Sequence, residues 1–197
     1  MIIGNCKPIR IIGYAQSSMT QEFVNEIAKT QGAEVVEPKN FAPDSAFQYI
    51  VSITFDLSER QQILALVDQH NLDLVTVIHD TCLIGTEPPA LIGAGTFIFP
   101  FSTVALGSCI GRHCIIGPYN LIGHYSQLGD NCITRPGVII SDKSQVGDHC
   151  VFNVRSTVTN KVKIVGDVEV AGLTNVVKDI SVPGRYAGSS ARRIGDV

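Results

Sequence analysis

Histidines and cysteines are the side chains of this 197-residue chain with the readiest chemistry, and their spacing limits what each can do. Cys114, Cys132 and Cys150 are eighteen residues apart in turn, and no CxxC pair exists, so a zinc site has little support. His113 and His149 are thirty-six apart with Asn131 midway, and His79 and His70 stand alone. Solvated corners or strand ends account for these four. The fifth, His124, precedes Asp142 by eighteen residues. Near the amino terminus, Gly13-Tyr14-Ala15-Gln16-Ser17-Ser18 keeps only the first glycine of the Gly-x-Gly-x-x-Gly pattern that brings a backbone close to phosphate. The amides there can still meet an anion, although a plain strand-to-helix turn explains the same residues. Glu37 falls where a nucleotide-binding domain would read ribose or base. A solvated strand end is the alternative.

A hexad repeat gives the eighteen-residue spacing its meaning. An aliphatic residue recurs at Ile92, Ile98, Val104, Ile110, Ile116, Ile122 and Leu128, and again from Ile140 through Val146, Phe152, Val158, Ile164, Val170 and Val176. Thr134 is the one polar member. Small or branched residues follow four later, and glycine follows directly at Gly93, Gly111, Gly117, Gly123, Gly129 and Gly147. This is the signature of a hexapeptide-repeat parallel β-helix. Three six-residue sides close a triangular coil, and coils stack at about 4.8 Å through parallel ladders, so residues eighteen apart lie one above another. The aliphatic residue points inward, and glycine is expected to relieve corners of difficult φ. The cysteine column then reads as small apolar filler inside the prism. His113 and His149, about 10 Å apart on this scheme, are too far apart for shared chelation. Two extra residues around Pro88-Pro89 should bulge at a corner.

Ahead of the repeat, strands at 9–13, Glu34–Glu37, Tyr49–Ile53 and Leu72–Ile78 alternate with helices at 19–31 and after Ser58. Ser18/Gln21 and Ser58/Gln61 have capping-box spacing, and Gly32 is the expected stop of the first helix. Residues 1–76 therefore read as a small parallel α/β domain, residues 77–178 as the β-helix, and 179–197 as a tail that leaves the prism and caps its last coil. Net charge is −3 with no run of basic residues, so neither nucleic acid nor an anionic membrane is an expected partner. No apolar run is long enough to span a bilayer and no leader opens the chain, which suggests a cytoplasmic protein.

Leu121-Ile122-Gly123-His124-Tyr125-Ser126-Gln127-Leu128-Gly129-Asp130, Arg135-Pro136-Gly137 and the Lys178–Ile194 tail carry a family likeness. Over nearly its whole length the chain resembles bacterial sugar acetyltransferases, both the sialic-acid O-acetyltransferase type and the nucleotide-linked amino-sugar N-acetyltransferases. The resemblance implies a Rossmann-like N-terminal domain for a nucleotide-linked sugar, with Gly13 and Glu37 as substrate contacts, and a left-handed parallel β-helix. It implies acetyl-CoA as co-substrate, no metal, and a homotrimer with active sites between neighbouring prisms, working in surface-polysaccharide or glycan biosynthesis. Gly147, Ala171 and Gly172 would meet the pantetheine arm, and Lys178, Arg192 or Arg193 its phosphates. His124 stands at the family's general base. Tyr125 replaces the acidic neighbour expected there, Ile133 a second histidine, and Ser190 a proline of the tail. Asp142, one coil above His124, is the substitute carboxylate that would orient the imidazole. Asp142 as an ordinary polar corner residue is the plainer reading. Three rivals are a non-catalytic scaffold, a zinc-dependent γ-carbonic-anhydrase-like protein and an acyltransferase with a different acceptor.

Overall fold

The computed structural model describes residues 1–29 and 32–196, which form two compact units, Met1–Val77 and Ile78–Val197. The first unit runs β1 (Ile2–Ile3), β2 (Ile9–Ile12), α1 (Ser18–Ile27), β3 (Ala33–Val36), β4 (Gln48–Val51), α2 (Leu57–Gln69), β5 (Asp73–Leu74) and β6 (Thr76–Ile78). Four of the strands make a parallel sheet in the order β3-β2-β4-β5. Parallel neighbours need long crossovers, and the two helices supply two of them. Ile9, Ile11 and Ile12 of β2 are fully buried, as are Phe23 and Ile27 of α1. Ile63, Leu64 and Val67 of α2 pack in one core with Tyr49, Val51 and Ile53.

Three local expectations need correction. Neither helix starts with the expected capping box. Ser17 is the N-cap of α1 and makes no side-chain cap bond. Asp56 caps α2 by accepting from the Glu59 amide at 2.8 Å. A carboxylate at the positive end of a helix is a stronger partner than a serine hydroxyl, so α2 begins before Ser58. α1 ends at Ile27 with Ala28 as its C-cap, about four residues before the stop expected at Gly32; residues 30 and 31 themselves lie outside the described residues. The strand expected over Leu72–Ile78 is divided at Val75, whose amide bonds Tyr49. Beyond it β6 pairs antiparallel with β1, a strand too short to announce itself in the sequence.

The second unit is a left-handed-type β-solenoid of about 6 turns. One face stacks Leu83–Ile84, Thr103–Val104, Leu121–Ile122, Ile139–Ile140, Thr157–Val158 and Asn175–Val176. A second stacks Leu91–Ile92, Cys109–Ile110, Gln127–Leu128, Gln145–Val146 and Lys163–Ile164. The third carries Phe97–Ile98, Ile115–Ile116, Ile133–Thr134, Val151–Phe152 and Val168–Val170. All these pairings are parallel. Partners such as Leu121 and Ile139 are eighteen apart, whereas Leu83 and Thr103 are twenty apart. The two extra residues form the predicted bulge, a loop closed by a Thr86–Pro89 bridge, in which the Glu87–Pro88 bond is cis.

Inside the prism the aliphatic series from Ile98 to Val176 is buried. Thr134, its polar member, accepts from the Asn120 side chain at 2.6 Å, and the Asn120 carbonyl oxygen accepts from the Val138 amide at 2.7 Å. Two buried polar groups thus satisfy each other. At seven of the positions four residues after the aliphatic, Thr96, Ser102, Cys114, Ser126, Cys132, Ser144 and Cys150, a hydroxyl or thiol donates to a carbonyl fifteen residues on. Thr96 meets Gly111 at 2.9 Å, Ser126 meets Ser141 at 2.9 Å, and Cys132 meets Gly147 at 3.2 Å. The cysteines are therefore weak donors as well as filler. Burial pushes the Cys132 thiol well up, which removes thiolate chemistry there.

The corner glycines do a different job from the one their φ suggested. The left-handed backbone conformation falls two residues later, at Phe101, His113, Tyr119, Tyr125, Asn131, Lys143, His149, Arg155, Lys161 and Leu173 among others. Glycine directly after the aliphatic is required by the next coil instead. A Cβ on Gly93 would lie 2.4 Å from the Gly111 carbonyl carbon, and one on Gly147 would lie 2.5 Å from the Gly166 nitrogen.

The tail extends the third face rather than leaving the prism. Gly184–Ala187 pairs parallel with Val168–Val170, and Arg192–Gly195 returns antiparallel against it.

Candidate active site

Each coil of the solenoid turns three corners, and His124 stands on the one between Leu121–Ile122 and Gln127–Leu128. Its position follows from a local device. Gly123 has no side chain, and a Cβ there would lie 2.5 Å from Asp142 Oδ1. The space admits the carboxylate of the coil above. Asp142 Oδ1 accepts from the His124 backbone N–H at 2.9 Å and faces His124 Nδ1 at 3.3 Å.

The same device appears twice elsewhere without a histidine. Asp130 Oδ1 accepts from the Arg112 amide at 2.7 Å above Gly111, and Asp148 Oδ1 from the Asp130 amide at 2.8 Å above Gly129. An aspartate eighteen residues on is therefore a general corner fastener here. What is particular to His124 is the ring that meets the carboxylate as well. The His124 and Asp142 side chains are 52% and 46% exposed, so their pairing adds little to stability. The contact suits one tautomer: with the proton on Nδ1 the ring can donate to Asp142, and the Nε2 lone pair can then accept a proton.

The corner is polar in different ways on either side of His124. Lys178 belongs to the same column as His124 and Asp142, three coils beyond the histidine at about 14 Å, and Lys143 and Lys161 follow Tyr125 in the neighbouring column; all three lysines are exposed. Toward the amino-terminal coils the ring of Tyr125 lies against Gly107, beside the Pro88 loop.

The other expected site residues are dispersed. Ala171 and Gly172 stand on the corner between the third and first faces, and Gly172 lines a groove of about 590 Å³ with Tyr119, Pro136, Gly137, Val154, Arg155 and Leu173. At the amino-terminal end of this groove Tyr119 stacks on Phe101 with ring centroids 5.1 Å apart. Gly147 stands on the third corner, in a groove of about 420 Å³ that includes Lys163 and Asp179. The amides of Gly147 and Ala171 are already spent on Ile164 and Tyr186 at 2.9 and 2.8 Å. Arg192 is exposed on the last strand, while Arg193 bonds the Pro183 carbonyl at 3.1 Å and pairs with Asp196. One prism does not bring these residues to His124.

In the first unit Gly13 follows β2 and Glu37 follows β3, at the carboxyl ends of neighbouring strands. A Cβ on Gly13 would lie 2.0 Å from Ser52 Oγ and 2.7 Å from Thr20 Oγ1, which are hydrogen-bonded to each other at 2.8 Å. Internal packing alone thus requires a glycine at 13. Glu37 pairs with Lys39 at 3.0 Å and borders a groove of about 360 Å³ along the edge strand β3.

The remaining histidines show no convergent ligand set. Asn131 Nδ2 contacts His149 Nδ1 at 3.1 Å, and His79 Nδ1 contacts the Thr81 hydroxyl at 2.9 Å. Among the described residues no three His, Cys, Asp or Glu side chains are grouped to hold a metal ion. No helix among them is long and apolar enough to cross a membrane.

The Phe101–Tyr119 stack and the seat of the Tyr125 ring beside Gly107 escape the sequence reading. Their signal was there: residues 101, 119, 137, 155 and 173 form one column at eighteen-residue spacing, and so do 107, 125, 143 and 161.

No family model matches the sequence, and no curated protein matches it either. Solved structures do match in shape. PerB from Caulobacter crescentus, solved with CoA and GDP-perosamine, superposes with a TM-score of 0.84 at 20% identity, covering 98% of this chain and 100% of that one. The acetyltransferase domain of PglB from Neisseria gonorrhoeae FA1090 gives 0.82 at 18% identity over 95% and 100% of the two chains. WeeI from Acinetobacter baumannii AYE gives 0.59 at 16% identity over 94% and 99%. Over nearly its whole length, then, the chain has the fold of solved bacterial acetyltransferases.

Proposed function

We propose that the chain is an acetyl-CoA-dependent acetyltransferase that modifies an amino or hydroxyl group of a nucleotide-linked sugar for surface-polysaccharide or glycan biosynthesis. The observation that carries the reading is His124, with Nδ1 turned to Asp142 and Nε2 left as a base at an exposed corner. The fold shared with PerB, which was solved with CoA and a GDP-linked sugar, supports the substrate class.

The chemistry assigned to the chain is a proton transfer. The acceptor oxygen or nitrogen attacks the thioester carbonyl, and its proton passes to His124 Nε2. The carbon–sulfur bond then breaks, and the thiolate leaves with that proton. Asp142 holds the imidazole in the accepting tautomer and offsets the charge of the imidazolium. Lys178, with Arg192 and Arg193, supplies cations for the donor's phosphates. Gly172 and Gly147 offer surfaces without bulk for its pantetheine arm.

Because those residues occupy three corners, a complete donor site calls for more than one prism. That supports a homotrimer with sites between neighbouring copies. The exposed apolar side chains of Leu83, Leu121 and Ile139, stacked on one face, suit such an interface. We assign residues 1–76 as a Rossmann-like nucleotide-sugar domain, 77–178 as the acyltransferase domain and 179–197 as the C-terminal tail. Gly13 and Glu37 lie where ligands of open parallel sheets bind, outside the carboxyl ends of adjacent strands.

A thermal-shift screen of nucleotide sugars, with and without acetyl-CoA, tests this reading. A ligand at a hundred times its dissociation constant stabilises the native state by about 2.7 kcal/mol. A nucleotide sugar and acetyl-CoA should each raise the melting temperature. If neither does at millimolar concentration, the assignment fails.

A further inference from the structure

We propose that Tyr125 is the stacking platform for the sugar ring of the acceptor, placing the reactive group at His124. The proposal rests on the acetyltransferase reading above and names one of its specificity residues. Three observations meet at this corner.

The first is the posture of the side chain. Tyr125 has φ of 57°, a left-handed conformation that holds the residue at the outside of the turn, and its amide bonds the Leu106 carbonyl of the coil below at 3.0 Å. The backbone that presents the ring is therefore fixed on both counts.

The second is the seat beneath the ring. Gly107 also has positive φ, and a Cβ there would lie 2.6 Å from both Cδ1 and Cε1 of Tyr125. The same Cβ would lie 3.2 Å from Pro88 Cγ, and the Gly107 amide donates to the Pro88 carbonyl at 2.9 Å. The two-residue insertion that breaks the hexad rhythm thus frames the tyrosine. The glycine leaves room for the Cδ1–Cε1 edge of the ring beside the backbone. The residue as a whole remains 52% exposed, so the ring is seated at that edge and still offers aromatic surface to solvent.

The third is the division of charge along the corner. Exposed Lys143, Lys161 and Lys178 all lie on the carboxyl-terminal side of His124, the side suited to donor phosphates. The ring lies on the other side, next to the base in sequence. A half-exposed aromatic ring on a fixed backbone suits the apolar C–H face of a pyranose. An acidic residue in place of Tyr125 would provide no such surface.

The test is steady-state kinetics of the full chain, with the acceptor found by the thermal-shift screen, on Tyr125→Ala, Tyr125→Phe and Gly107→Ala. Tyr125→Ala should raise the acceptor KM on the order of ten-fold, the loss of one modest aromatic contact. The acetyl-CoA KM should stay unchanged and kcat should remain within a few-fold. Tyr125→Phe, which keeps the ring, should behave as the unaltered protein. Gly107→Ala keeps the phenol but displaces the ring, and should raise the same acceptor KM. A merely structural tyrosine would lower kcat or melting temperature without singling out the acceptor. An unchanged acceptor KM in Tyr125→Ala, or a loss in Tyr125→Phe equal to that in alanine, overturns the platform while leaving the acetyltransferase reading intact. Absence of acetyl transfer by the unaltered protein to any nucleotide sugar overturns both.

Discussion

Replacing His124 with alanine should lower turnover by roughly 10²–10⁴-fold, the range typical of a lost general base. The side chain is exposed and its partner Asp142 remains held by the backbone amide at position 124. Melting temperature and circular dichroism should therefore be unchanged, and the loss should appear in kcat. Asp142→Asn should cost less, since it keeps a side-chain oxygen for the backbone bond and disturbs only charge and tautomer. In the double variant the two losses should not multiply, because both substitutions act on one proton transfer. This coupling separates the two roles that Asp142 can have. Asp130 and Asp148 fasten corners at which the capped residue, Arg112 or Asp130, carries no imidazole, and an aspartate doing only that would give losses that simply multiply.

The second large effect is on stability. Phe152→Ala should destabilise the solenoid by about 3–5 kcal/mol, the cost of a large cavity in a packed core. Phe152 is fully buried, in register with Thr134 below and Val170 above. Coils of a solenoid are stabilised mainly by their neighbours, so a cavity at this layer weakens its joins to both adjoining coils. Urea unfolding followed by circular dichroism should show a lower midpoint. A change below about 1 kcal/mol, within the reach of an ordinary surface substitution, would mean that this layer closes around the gap.

How much of this was legible beforehand depended on periodicity. The inward series, the stacking of residues eighteen apart and the bulge at Pro88-Pro89 all followed from counting, because a solenoid turns sequence spacing directly into position. Asp142 over His124 was visible for the same reason. The role of the corner glycines was misread, since spacing shows where a small residue recurs but not whether φ or the adjacent coil demands it. In the same way Cys114, Cys132 and Cys150 looked like filler, while the carbonyls their thiols meet lie fifteen residues on, off the eighteen-residue beat. The capping-box pattern at Ser58 misplaces the start of α2 because Asp56, a better acceptor, lies just upstream, whereas α1 starts after Ser17 with no side-chain cap at all. The tail was read as leaving the prism because its hexads fail, yet Gly184–Ala187 still finds the open edge of Val168–Val170. Once the repeat ends, strand pairing no longer shows in spacing.

Acetyl transfer itself is the most direct test of the central claim. The full chain should be incubated with acetyl-CoA and a panel of GDP- and UDP-linked amino and neutral sugars, and free thiol release and acetylated product measured together. The account predicts a stoichiometric match of thiol to acetylated nucleotide sugar for at least one acceptor, abolished in large part by His124→Ala. Product formation undiminished in His124→Ala, or thiol release with no acetylated sugar across the panel, would contradict it.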